Sequence, residues 1–239
     1  LSPLQELIDK KNDKDTVNSL SIIHRNAKVL TNLTNQLLDL SKLEAGKLNL
    51  KVQEGNFKSF LKVICASFDS LAAAHTIEFV RNLNNTPDLA YFDEDKVRKI
   101  LNNLLSNAFK FTSKEGKVVI NTTCTREEVF ISVRDTGQGI PKEDQVLVFN
   151  RFHQNHTNEP NAAGTGVGLT LSKELALLHH GDITVTSDED TGSTFTFHFP
   201  FKKSAYTPQE INENPLENSP SITKPSLIVQ NNDAPQMES

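Results

Sequence analysis

The sequence predicts an α+β fold, a two-layer α/β sandwich preceded by a helical hairpin. Three observations lead there. Ile23, Ala27, Leu30, Leu33, Leu37 and Leu40 recur at three- and four-residue steps, the stripe of one long helix over 16–44. From residue 48 onward, strand-like and helix-like segments alternate. Val118, Ile120, Val129, Ile131, Val133 and the run Thr194-Phe-Thr-Phe-His-Phe199 alternate apolar with polar, as in a sheet covered on one face.

Taken in order, Leu4-Gln-Glu-Leu-Ile8 reads as the end of a first helix, reversed through Asn12-Asp-Lys-Asp15 into the long one. Such a hairpin cannot bury its stripe alone, so self-association into a four-helix bundle is expected; the other outlet is packing on the following domain. Gly46 stops the long helix, with Lys42 and Lys47 near the negative end of its dipole. Strands are expected near 48–52, 76–81, 89–92, 117–124, 128–134, 182–187 and 193–199, and helices near 57–73, 94–111 and 166–179. Residues 153–163 are polar and aperiodic, the pattern of a mobile lid. Residues 204–239 hold five of the ten prolines and no glycine, and read as an extended, mostly disordered linker. Within it, 224–229 (Lys-Pro-Ser-Leu-Ile-Val) looks like the opening strand of another domain. The expected divisions are therefore 1–46, 47–203 and 204–239.

Composition narrows the function classes. A net charge of −5 gives no support to direct nucleic-acid binding. Cys65 and Cys124 both sit in apolar patterns and are expected to be reduced and buried. No run approaches the ~18 apolar residues of a membrane span, so a cytoplasmic portion is expected, with any membrane anchor outside this chain.

Three motifs carry chemistry. In Asn103-Leu-Leu-Ser-Asn107-Ala-Phe-Lys110, the residues Asn103, Asn107 and Lys110 share a helix face opposite Leu101, Leu104, Leu105 and Ala108. An amide oxygen can complete a Mg²⁺ octahedron, and a lysine one turn on can meet a phosphate oxygen. In Asp135-Thr-Gly137-Gln-Gly139-Ile140-Pro141, a carboxylate ends a strand beside two glycines; it can accept from the exocyclic amine of adenine, a donor guanine lacks at that position. Gly164-Thr-Gly166-Val-Gly168-Leu169 opens a helix whose free N–H groups suit an anion. It is neither a Walker A loop nor the dinucleotide fingerprint. Each motif taken alone also fits an ordinary polar helix face, turn or cap. His24, His179 and His180 are expected to be structural or solvated.

In this order, followed by Phe149-Asn-Arg151-Phe152 and Gly192-Ser-Thr194, the motifs resemble the ATP-binding domain of sensor histidine kinases. That domain belongs to the superfamily shared with DNA gyrase, heat-shock chaperones and mismatch-repair proteins. The likeness spans about 16–201 and implies a Bergerat-type fold, a mixed five-stranded sheet under three helices, with ATP and Mg²⁺ as cofactors and a mobile lid. It implies an N box of Asn103 and Asn107, with Asn107 on the metal and Lys110 at the phosphates. Asp135, Gly137, Gly139 and Ile140 would form the box that reads adenine, and Thr194 would support the base. Phe149 and Phe152 would anchor the lid. Gly164, Gly166, Gly168 and Leu169 would hold the phosphates.

The segment from His24 to Gly46 resembles the second helix of the dimerisation and phosphotransfer hairpin, closest to the large hybrid kinases. The resemblance implies a homodimer that relays phosphoryl to a receiver domain or response regulator, within an inner-membrane-anchored bacterial sensor. Hydrolytic members of the superfamily carry a water-activating Glu where this chain has Asn103, which favours phosphoryl transfer to a histidine. The His-containing acceptor motif is absent from the chain, so the fragment alone is expected not to autophosphorylate. After Leu227-Ile-Val229, Gln230 and Asn231 replace the acidic pair of a receiver. The alternatives are a water-activating ATPase and a nucleotide-binding or nucleotide-free dimerising pseudokinase module.

Overall fold

The computed structural model describes residues 14–153 and 166–212. The expected first helix of the hairpin, the lid residues 154–163 and the strand at 224–229 lie outside them. Helix α1 spans Lys14–Glu44. Its stripe divides between two destinations. Leu40 is buried and Leu33 and Leu43 pack beside it on the core of the following domain, whereas Ile22, Ile23, Val29, Leu30, Leu37 and Leu38 are exposed. Asp39 meets Lys99 at 2.9 Å and Glu44 pairs with Arg151, so ion pairs flank the buried Leu40.

The chain continues through β1 (Gln53–Asn56), α2 (Phe57–Ala66), α3 (Asp69–His75), β2 (Glu78–Asn82), β3 (Leu89–Phe92) and α4 (Glu94–Phe111). Then come β4 (Lys117–Cys124), β5 (Glu128–Asp135), α5 (Lys142–Gln145), α6 (Gly168–Leu178), β6 (Asp182–Asp188) and β7 (Gly192–Pro200). The main sheet has five strands in the order β2-β4-β5-β7-β6, with β2 and β4 parallel and the remaining pairs antiparallel. β1 and β3 pair separately as an antiparallel ribbon. Val118, Ile120, Val129, Ile131, Val133, Phe195, Phe197 and Phe199 face one side and are all buried. The α4 residues Val97, Ile100, Leu101, Leu104 and Leu105 and the α6 residues Leu171 and Leu175 join them in one core. Phe57 ties the ribbon to the sheet, meeting Phe92 edge-on at 5.0 Å and Phe199 at 5.5 Å.

Several boundaries differ from the sequence expectation. The helix expected over 57–73 breaks after Ala66, where Ser67 Oγ bonds back to Ile64 O at 2.7 Å and ends α2. Residues 48–52 alternate as a strand would, but only Val52 is bridged, to Ile211, because no strand lies beside the rest. The expected helix start at 166 moves to Gly168, since Gly166 sits at φ +66°. Cys65 is buried as expected, and burial pushes its thiol pKa up to about 11. Cys124 is exposed, contrary to expectation, because it lies where β4 runs out from under its covering layer into the β4–β5 turn. The fold also reaches beyond the expected boundary at 203. Tyr206 is buried and residues through Asn212 are bonded to the domain, so 204–212 are not a free linker.

Candidate functional site

Helix α4 is set by its sequence. Asp93 caps it, accepting from Lys96 N–H at 3.2 Å, while Glu94 and Asp95 in the first turn and Lys110 in the last complement the dipole. Its apolar face is committed to the core, which turns Asn103 and Asn107 to the opposite, half-exposed side. Asn103 Nδ2 donates to Ser172 Oγ of α6 at 2.9 Å, so the two helices are joined at the site. The Asn107 side chain makes no hydrogen bond to any described residue. Lys110 lies with its ammonium 4.6 Å from the centre of the Phe111 ring, and partial burial lowers its pKa.

Asp135 ends β5 and is buried. Its Oδ1 accepts from Gly137 N–H at 2.9 Å and from Ser193 N–H at 3.3 Å. Oδ2 accepts nothing from the described residues. Burial raises the pKa of this carboxyl, an effect the two backbone donors oppose. A second network fixes the turn that follows. Ile140 N–H donates to Ser187 Oγ at 2.8 Å, and Gln145 Nε2 donates to Ile140 O and Ser187 O. Thr194 sits half-buried on β7, opposite Arg134 of β5.

The glycines have reasons within the fold itself. A Cβ at Gly137 would stand 2.4 Å from Phe111 O, and one at Gly168 would stand 2.4 Å from Asn103 Oδ1. Gly139, at φ +74°, passes so close to β6 that a Cβ would lie 2.2 Å from Asp188 O. The expected phosphate loop is described only from Gly166; Gly164 lies outside the described residues. Phe152 N–H donates to Gly166 O at 2.9 Å, bonding the two chain ends that flank 154–165. Of the two expected anchoring aromatics, Phe149 is the packed one, edge-on to Phe195 at 6.4 Å, and Phe152 is exposed. Leu169 packs against the core.

The structure therefore brings Asn103 and Gly168 together, and groups Asp135 with Gly137 and Ser193 between the ends of β5 and β7. Ser172, Ser187, Ser193 and Gln145 were not singled out in the sequence. They act through backbone and side-chain bonds, which leave no periodic signal, although Ser193 adjoins the recognised Thr194. His179 and His180 are structural, as expected. His179 is buried, its Nε2 accepting from Asp93 N–H at 2.9 Å and its Nδ1 facing Tyr206 OH at 3.0 Å. His180 pairs with Glu210 at 2.8 Å. Among the described residues no cluster of His, Cys, Asp or Glu could hold a metal ion.

A mixed sheet under α4 and α6, which the Asn103–Ser172 bond joins, with the buried Asp135 carboxylate at the end of β5, is a two-layer α/β sandwich. Residues 92–203 match the family described as histidine kinase-, DNA gyrase B-, and HSP90-like ATPase, and the chain belongs to it as a histidine kinase ATP-binding domain. Histidine kinase P4 of Formosa agariphila is 32% identical over 216 residues, which cover 88% of this chain and 16% of that protein. Hybrid signal transduction histidine kinase D of Dictyostelium discoideum is 35% identical over 211 residues, 84% of this chain and 13% of that protein. The chain thus spans a small part of these relatives' length. Among solved structures, full-length ShkA in complex with AMPPNP superposes with a TM-score of 0.70 at 25% identity, covering 84% of this chain and 42% of that one. The catalytic domain of histidine kinase ThkA superposes with a TM-score of 0.57 at 25% identity, covering 64% of this chain and 99% of that one.

Proposed function

We propose that this chain binds ATP with Mg²⁺ and supplies the catalytic domain of a histidine kinase, passing the γ-phosphoryl to a histidine outside the chain and onward to an aspartate of a receiver or response regulator. The observation that carries this reading is Asp135, whose Oδ1 is held by two backbone donors while Oδ2 is left for a ligand donor. The exocyclic amine of adenine is the donor that fits.

The metal fits the residues present. Among the described residues, the amide oxygen of Asn107 has no competing bond and no acidic cluster competes for the ion. A single neutral ligand suits Mg²⁺ that takes most of its coordination from phosphates and water, and the bound ion would neutralise phosphate charge. Lys110, one turn on, can meet a phosphate oxygen as a point charge. Gly166, Gly168 and the N–H groups opening α6 offer donors to the polyphosphate.

In the transfer, a neutral imidazole nitrogen of the acceptor attacks the γ-phosphorus as its bond to the bridging oxygen breaks. ADP leaves with that electron pair, and the ring proton passes to solvent. No water-activating base is required, because neutral histidine is already a nucleophile. Asn103, held by Ser172, supplies none. The exposed apolar residues of α1 support a homodimer through this helix. The relative named hybrid signal transduction histidine kinase D supports a receiver as the next carrier.

Calorimetric titration with Mg·AMPPNP tests the reading. The wild-type chain should bind and Asp135→Ala should bind at least tenfold more weakly. A wild-type chain that takes up no nucleotide would refute it. Phosphohistidine formed by the isolated chain would refute the placement of the acceptor outside it.

A further inference from the structure

We propose that residues 206–212 are a clamp on the connection between α1 and the nucleotide-binding domain, and that this clamp sets how far the domain can travel from the long helix. The connection runs from Ala45 to Val52, and two of its backbone N–H groups are held at its far end. Lys51 N–H donates to Asp93 Oδ2 at 2.8 Å. Val52 N–H donates to Glu210 O at 2.7 Å, and Val52 O accepts from Asn212 N–H at 2.7 Å. The last two bonds are a single parallel β-bridge, Val52 to Ile211.

Side chains reinforce the bridge. Leu50, Val52 and Tyr206 are buried together, with Tyr91, Leu178 and Ile211 packed around them in a small cluster apart from the main core. The Tyr206 hydroxyl donates to Pro200 O and faces His179 Nδ1. Because His179 Nε2 accepts from Asp93 N–H, its proton must sit on Nδ1, where it donates to Tyr206. A chain of bonds therefore joins Tyr206 through His179 to Asp93, which both caps α4 and holds Lys51. Glu210 keeps the clamp folded, its Oε2 accepting from Thr207 N–H and Oγ1 and its Oε1 meeting His180.

With the clamp closed, the unbridged connection is confined to 45–49. When α1 lifts from its seat at Leu40 and from the Asp39–Lys99 and Glu44–Arg151 pairs, an open clamp with Lys51 released from Asp93 adds 50–52 to the slack and lengthens the reach by about 10 Å, at roughly 3.4 Å per extended residue. For a domain that must carry a phosphoryl group to an acceptor on another element, reach decides access. That consequence rests on the kinase reading, whereas the clamp does not.

The test compares the full chain with its Ile211→Asp variant. Spin labels replace Ser41 on α1 and Arg126 in the β4–β5 turn, with Cys124→Ser removing the exposed native thiol. Amide hydrogen exchange is followed alongside. The variant should exchange Val52 N–H at least tenfold faster while Gly137 N–H keeps its protection, and its label distance distribution should broaden toward longer separations. Unchanged Val52 exchange, or faster exchange with an unchanged distance distribution, would overturn the proposal. If Ile211→Asp also unprotects Gly137, Ile211→Ala takes its place under the same criteria. Mg·AMPPNP binding is measured separately on the unsubstituted chain. Its absence would overturn the kinase reading and leave the clamp standing.

Discussion

The Asn103 side-chain amide donates to Ser172 Oγ at 2.9 Å, fastening α4 to α6 across the seam where a polyphosphate is proposed to lie. A hydrolytic enzyme needs a base at this place; here the side chain is a neutral amide already occupied in structure. The pair should behave as one unit. Asn103→Ala and Ser172→Ala should each destabilise the domain, and the double variant should cost less than their sum, with a coupling of about 0.5–1.5 kcal/mol. Urea denaturation of the four proteins measures it, and additive effects would mean that the bond contributes nothing.

In the proposed site, Asp135 would separate adenine from guanine through one oxygen, Oδ2. In Asp135→Asn, the amide oxygen can still accept from Gly137 and Ser193, which turns an N–H₂ toward the nucleotide in place of Oδ2. Two donors then face each other. Losing one such bond and leaving the donors unpaired is worth roughly 1–3 kcal/mol, so Mg·AMPPNP affinity should fall about tenfold to a hundredfold. The melting temperature should not fall, since a buried carboxylate with a raised pKa has been removed. An asparagine variant that binds as tightly as the parent would displace Asp135 from the adenine site.

Much of this site was legible in the sequence because its parts are local. Asn103 and Asn107 share a face by helical spacing, and Asp135 closes a period-two strand before a glycine turn. What escaped the sequence depends on distant partners. The bonds from Tyr206 to His179 and from His179 to Asp93 join residues far apart in the chain, and hydrophobic periodicity says nothing about them. Leu50 and Val52 alternated as a strand should, yet their partners proved to be Tyr206 and Ile211, in a stretch whose proline content suggested a linker. The break at Ser67 turned on one side-chain hydroxyl choosing Ile64 O.

His179 should make stability depend on pH. Burial lowers its pKa to about 4 from an ordinary 6.5, so the folded chain keeps it neutral where the unfolded chain binds a proton. The unfolded state thus carries more protons between those values, and stability rises with pH there. The contribution is fully present above pH 6.5 and is lost as pH falls toward 4, to a total of about 3 kcal/mol. His179→Gln keeps an acceptor for Asp93 N–H without a titrating ring. Its unfolding free energy should decline less steeply than the parent's between pH 6.5 and 4, and parallel curves would show that His179 is not the titrating group.

Gly46 and Gly139 both adopt positive φ, yet they should respond differently to alanine. At Gly46, φ is +63° and a Cβ would meet nothing within 4 Å, so the cost is that of a left-handed alanine, about 1–2 kcal/mol. At Gly139, φ is +74° and the added carbon would lie 2.2 Å from Asp188 O and 2.9 Å from Asp188 C, both backbone atoms of β6. Neither atom can swing aside as a flexible side chain would. Relief requires moving the Ile140–Ser187–Gln145 network or the end of β6, so Gly139→Ala should cost at least about 1 kcal/mol more than Gly46→Ala. It should also weaken Mg·AMPPNP binding, because the displaced turn is the one that holds Asp135 Oδ1 through Gly137. Gly46→Ala should leave affinity unchanged, since that turn lies in the connection after α1. Thermal melts and titrations of the two variants side by side decide the matter. Equal losses in both would mean that backbone strain, rather than the close approach to β6, is what requires glycine at 139.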